Sequence, residues 1–212
     1  MIGGMTPRAA PMSPDDRRRT IIDAARPLLL EHGERLTTRA VADAAGIAEG
    51  TIFRVFPDKD ALLHAVAADT LDPPDGREKL LAALEGIVDL PTKVRVTADL
   101  MLRRSDQVVA VMMALRKHWM SDGRAHAAED KLGPPQFVVD AHRALLERLV
   151  EVFEPHRDEL RVTPHRAALL LRTLVLGSRN PGVRPEDRLT ADDLTDVLLH
   201  GIHRTAPEGD PC

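Results

Sequence analysis

Gly46-Ile47-Ala48-Glu49-Gly50-Thr51-Ile52-Phe53-Arg54-Val55-Phe56-Pro57-Asp58-Lys59 puts two of the chain's five aromatic residues within four positions and beside an arginine. A glycine opens the stretch and Pro57 interrupts it, so it reads as a turn, a helix from about Glu49 to Phe56, and a stop. Immediately upstream, Arg39 to Ala45 fits another short helix ended by Gly46, with Thr37 or Thr38 as its cap. Two short helices joined by a tight glycine turn form the helix-turn-helix arrangement, whose second helix enters the DNA major groove. Ala42, Ala45, Ile47, Ile52 and Phe56 have the spacing expected where two such helices pack closely. The opposite side of the second helix presents Glu49, Gly50, Thr51, Phe53 and Arg54, a short docking face.

Working outward, Ser13-Pro14-Asp15-Asp16 signals a helix start: Ser13 as N-cap, Pro14 at the first helical position, Asp16 closing a capping box. Apolar residues from Ile21 to Leu29 then recur at helical spacing until Gly33, with Pro27 inside the pattern predicting a bend or a short break. The first twelve residues have no periodicity and read as a flexible arm, with Met1, Met5 or Met12 as the start. A fourth helix starts at Asp58 and carries Leu62, Leu63 and Val66. Later helices are expected near 77–88, 92–103, 105–120, 135–155, 164–178 and 191–204, with a polar loop from Ser121 to Pro135. Strand-like alternation is missing, so the fold class is all-α. The expected domains are an arm over 1–12, a helix-turn-helix domain over 13–58, and a larger helical domain over 59–212.

The chain's 212 residues, 43% hydrophobic, are enough to bury a sizeable core, and its longest apolar runs, such as Ala167 to Leu171, are far too short to cross a bilayer. A cytoplasmic protein with no membrane association is expected. The single cysteine, Cys212, permits no internal disulfide and no cysteine-based metal site. Net charge is -4, but the acid is unevenly placed: residues 1–59 hold nine Lys/Arg against eight Asp/Glu, and residues 60–212 hold 20 against 25. A DNA-binding role therefore rests on local charge at the front, where Arg17-Arg18-Arg19 forms a small basic cluster that a solvated helix face explains equally well.

Leu36-Thr37-Thr38-Arg39-Ala40-Val41-Ala42-Asp43-Ala44-Ala45-Gly46-Ile47, followed by the opening stretch and Ala61-Leu62-Leu63, resembles the tetracycline-repressor (TetR) family of transcriptional regulators over about residues 17–66. The resemblance implies that Thr38 and Arg39 bind phosphate or a base edge, that Thr51 binds at the groove, and that Lys59 clamps phosphate. Arg54 adds a phosphate contact or stays a solvated charge. The family usually has a tyrosine where Phe53 stands and a tyrosine or histidine where Val55 stands. This chain has no tyrosine at all. Phe53 keeps the ring, which can pack on sugar or a thymine methyl without a hydroxyl. Ala48 stands where a serine or threonine commonly caps the recognition helix, at a cost of roughly 1 kcal/mol. Glu49, beside a polyanion, either accepts from a cytosine amino group or repels phosphate and weakens nonspecific binding.

The expected partner is double-stranded operator DNA with a palindromic sequence. Helix-turn-helix proteins span half-sites roughly 34–36 Å apart as dimers, and the resemblance implies a homodimer through the last two helices. Leu170, Leu174, Leu194, Val197, Leu198 and Ile202 supply the apolar faces, which an intramolecular core also claims in part. The resemblance further implies a cavity in the central helices. Four of the seven methionines lie between 101 and 120, and Met101, Met112, Met113, Leu115, His118 and Trp119 would line it opposite Phe137, Val138 and His142. Such a wall suits a small apolar or amphipathic ligand, although methionines also simply fill core gaps. Ligand binding would move helix four and release a repressor from its operator.

Enzymatic readings lack a motif. His200 and His203 share a helical face, and His118 and His126 flank acids, but no His-Glu-x-x-His set, phosphate loop or serine elbow accompanies them. No cofactor and no metal are expected. The alternative to a regulator is a helical adaptor or sensor that has lost DNA binding.

Overall fold

Ser13 accepts from the Asp16 backbone N–H at 3.0 Å, and its own hydroxyl donates to the Asp16 carboxylate at 2.7 Å. This cap starts α1, Pro14–His32. The computed structural model describes residues 13–121 and 135–202, so the expected arm and most of the expected polar loop lie outside the described residues. Pro27 does not break α1. It is exposed, and so is Asp23, whose carbonyl loses its helical donor on the side facing water.

After a single turn of 3-10 helix (Gly33–Arg35), α2 runs Thr38–Ala45, capped by Thr37, whose hydroxyl accepts from the Ala40 N–H at 3.1 Å. Gly46 ends it at φ 66°, and the Gly46 and Ile47 amides return to the Asp43 and Ala42 carbonyls. An added Cβ there would meet nothing within 4 Å, so the left-handed backbone, and not crowding, calls for glycine. α3 is Glu49–Val55 and has no side-chain cap at Ala48; α4 is Lys59–Leu71, capped by Asp58.

Behind the head come α5 (Gly76–Leu84), α6 (Leu90–Ser121), α7 (Gln136–Phe153), α8 (Pro164–Ser178) and α9 (Ala191–Ile202). No strand occurs among the described residues. The two helices expected over 92–103 and 105–120 are one. Nothing between Arg103 and Ser105 is a breaker, and α6 continues for 32 residues, about 48 Å. α5 ends earlier than expected, because Gly86 turns the chain at φ 75°. Thr190 and Asp193 form the expected capping box of α9, with bonds of 2.8 and 3.2 Å in the two directions.

The buried side chains form two cores. The first joins Ile21, Leu29, Val41, Ile52 and Phe56 of the head to Leu62, Leu63 and Val66 of α4 and to Val111 and Leu115 of α6. It runs straight across the boundary expected at 58/59. The second joins Leu90, Val94, Ala98 and Leu102 of α6 to α7, α8 and α9. α6 is therefore a rod with one end in each core.

Candidate functional site

Ile52 on α3 and Phe56, the residue that ends α3 one turn later, are buried at 0% and 1% exposure, and Arg18 of α1 sits over the Phe56 ring at 4.6 Å. That contact gives one member of the basic cluster a structural role. Pinning the apolar side inward turns Gly50, Phe53 and Arg54, spaced i, i+3 and i+4, outward as one exposed face. Phe53 is 50% exposed, with no core to account for it. Arg39 is exposed at the start of α2, Thr51 and Lys59 are half-buried, and Thr38 donates to the exposed Glu49 carboxylate at 2.7 Å. All eight residues expected at DNA thus lie on α2, α3 or the first turn of α4.

A cavity of about 250 Å³ opens between the two cores, walled by α4, α5, α6, α7 and the end of α8. Its apolar lining includes Leu71, Leu80, Met101, Val108, Leu145 and Leu176. Of the nine residues expected to form a ligand wall, Met101 and His142 line this cavity. Met112, Leu115 and Phe137 pack against the head's core instead, Met112 because it lies about 16 Å further along the rod than Met101. The Phe137 ring meets His64 of α4 edge-on, with centroids 6.0 Å apart. Met113 is 56% exposed, on another side of α6. Val138 is half-buried but does not line the cavity, and the side chains of His118 and Trp119 lie outside the described residues.

Apart from His142, the cavity's polar lining was not read from the sequence. Lys79, Thr97, Arg104, Ser105, His142, Arg148 and Arg179 all contribute. A stripe at i, i+4, i+7 and i+11 along α6, Thr97, Met101, Arg104 and Val108, was the available signal. Burial, reinforced by the neighbouring Arg148, disfavours the charged form of Arg104. Burial and then Arg172 hold the His142 imidazole below its ordinary value.

Leu194 and Leu198 face the second core at 0% and 2% exposure, which corrects the expectation that they form an intersubunit face. Leu170 and Leu174 pack half-buried against the same core. Val197 is 54% exposed, whereas the Ile202 side chain lies outside the described residues, as does His203. Among the described residues there is no group of three His, Cys, Asp or Glu side chains placed to hold a metal ion, and no helix long and apolar enough to span a membrane.

A three-helix head with a glycine turn and a short outward-facing helix, carried on a helical body, defines a helix-turn-helix DNA-binding protein. The family model described as "Bacterial regulatory proteins, tetR family" matches residues 21–66. The chain is 30% identical over 196 residues to the HTH-type transcriptional repressor KstR of Rhodococcus jostii, covering 91% of this chain and 87% of that protein. It is 38% identical over 84 residues to the HTH-type transcriptional repressor Rv1474c of Mycobacterium tuberculosis, a match spanning 39% of this chain and 43% of that one. The crystal structure of superantigen PfiT superposes with a TM-score of 0.62 at 20% identity, over 92% of this chain and 100% of that one, a likeness of fold alone. The chain belongs to the TetR family of bacterial regulatory proteins. It is a DNA-binding transcriptional regulator and not an enzyme.

Proposed function

We propose that this protein is a homodimeric repressor, acting in the cytoplasm, that leaves a palindromic operator when a small apolar or amphipathic molecule occupies the cavity. Arg39, Thr51, Arg54 and Lys59 would contact phosphates or base edges, Phe53 would pack on sugar or a thymine methyl, and Gly50 would let the backbone approach the groove. The Thr38–Glu49 pair would sit at the edge of that surface. The observation that carries the reading is that two rods run from the cavity into the head. α4 lines the cavity through Leu71 and enters the head's core through Leu62, Leu63 and Val66. α6 lines it from Thr97 to Val109 and enters the same core through Val111 and Leu115. A ligand that binds one arrangement of these rods better than another shifts the separation of the paired recognition helices, by no more than its differential affinity allows.

Val197, 54% exposed on α9, supports pairing of two protomers through the last two helices. Footprinting the DNA upstream of the protein's own gene tests the proposal. Two protected half-sites centred about one helical turn, roughly 34–36 Å, apart are expected; a single unrepeated site, or none, would overturn it.

A further inference from the structure

The C-terminal end of α4 is gripped from three directions. Arg26 of α1 pairs with Asp69, Arg104 of α6 donates to the Thr70 carbonyl, and Arg148 of α7 pairs with Asp72. Arg104 and Arg148 also line the cavity. Gly76 leaves room for this grip, since a Cβ there would fall 2.9 Å from an Arg148 guanidinium nitrogen. Arg26 is paired with both Asp23 and Asp69, and Arg148 with Asp72, so of the three guanidinium groups Arg104 is the one that meets only a neutral acceptor. Among the described residues Arg104 has no carboxylate partner. Arg104 cannot shed its proton in practice, so it stays a cation with no carboxylate bonded to it, in a largely apolar wall. A second observation points the same way. Thr97 is completely buried, its hydroxyl has no hydrogen-bond partner among the described residues, and it lines the cavity. A buried polar group in that state is destabilising until something bonds to it.

We propose that the cavity takes an apolar molecule with a carboxylate head, and that the head competes for Arg104 and Arg148, loosening their hold on the end of α4. A carboxylate matches the one guanidinium of the three that has no acid bonded to it, and takes it in a two-pronged hydrogen bond. The apolar lining and the size set the rest of the molecule. An apolar cavity of about 150 Å³ holds benzene, so 250 Å³ suits a medium-chain acyl or small aryl group. Drawn toward the ligand, Arg104 gives up the Thr70 carbonyl and Arg148 gives up Asp72. Of the three arginines only Arg26 then holds the end of α4, which has Lys59 at its other end.

This rests on the reading above that cavity occupancy governs DNA binding, and the test separates the two. Binding of decanoate and of 1-decanol, its uncharged counterpart, is measured by calorimetry on the full chain. Decanoate is expected to bind on the order of tenfold or more tightly. Arg104→Gln, which keeps a donor for Thr70, should bring the two ligands together, while Thr97→Val, a variant that preserves packing, should weaken a ligand that uses the hydroxyl. Equal binding of both probes, or none of either, would overturn the carboxylate assignment whatever the DNA does. Charge-selective binding that leaves affinity for the upstream duplex unchanged would uphold the ligand class and overturn both the loosening of α4 and ligand-driven release.

Discussion

The Thr38 hydroxyl donates to the Glu49 carboxylate at 2.7 Å, tying the first residue of α2 to the first residue of α3. Two residues that read as separate DNA contacts are partners of each other in the free protein. The bond fixes the two helix starts relative to one another, and it leaves a negative charge at the DNA-facing surface, where the positive end of α3 favours it.

Glu49→Gln should therefore tighten binding to all duplexes, by about two- to threefold per half-site, the size of one unit charge some 8 Å from a phosphate in water. Anisotropy titrations on the upstream duplex and on a scrambled duplex check this. Weaker binding to the upstream duplex alone would show instead that Glu49 accepts from a base.

Phe53 is half-exposed on the free surface of α3, so Phe53→Tyr should leave stability unchanged. If a phosphate lies where the family's tyrosine meets it, the added hydroxyl should tighten DNA binding by about fivefold, one hydrogen bond's net worth. Unchanged affinity in the same titration would mean that the ring alone is the working part.

Thr97→Val removes a buried hydroxyl that bonds to nothing among the described residues. The ligand-free protein should gain about 1 kcal/mol, a rise of about 2–4 °C in melting temperature for a chain this size. A lower melting temperature would reveal a partner for the hydroxyl.

Burial and Arg172 hold the folded His142 imidazole below its unfolded value near 6.5. The unfolded chain binds that proton at higher pH, so this contribution is complete above about pH 6.5 and is lost as the pH falls through the folded value. Thermal melts from about pH 7.5 to 5.5 should show a smaller decline for His142→Gln than for the parent. Parallel declines would contradict the shift.

Val197 and Leu198 are neighbours with opposite exposures, 54% and 2%. Val197→Asp should turn dimer into monomer in sedimentation while leaving the melt nearly unchanged. Leu198→Asp should unfold the body, at a cost of about 3 kcal/mol or more. A Val197→Asp protein that stays dimeric would place the interface elsewhere.

What was legible in the sequence is what local chemistry decides. Ser13 with Asp16, Thr37, Asp58 and Thr190 with Asp193 announce helix starts within four residues, and Gly46 announces the turn, because caps and left-handed backbones depend on near neighbours. Two features were not legible for the same reason in reverse. The body's helix faces are set by packing across distances of dozens of residues, so Leu194 and Leu198 looked as available for pairing as Val197. The arginine grip on α4 draws on residues 26, 104 and 148, which have no pattern in common until the chain folds. Methionine clustering was a weak guide, because a 32-residue helix passes Met101, Met112 and Met113 through three different environments.

The central claim is that the outward face of α2 and α3 reads DNA sequence. Its most direct test is a salt-titrated anisotropy measurement on the upstream duplex against a scrambled duplex of the same composition. The account predicts a preference for the upstream duplex of 10³-fold or more, with both affinities falling steeply as salt rises. Equal affinity for the two duplexes, or no binding even at low salt, would contradict it and favour a helical adaptor that has kept the fold without the function.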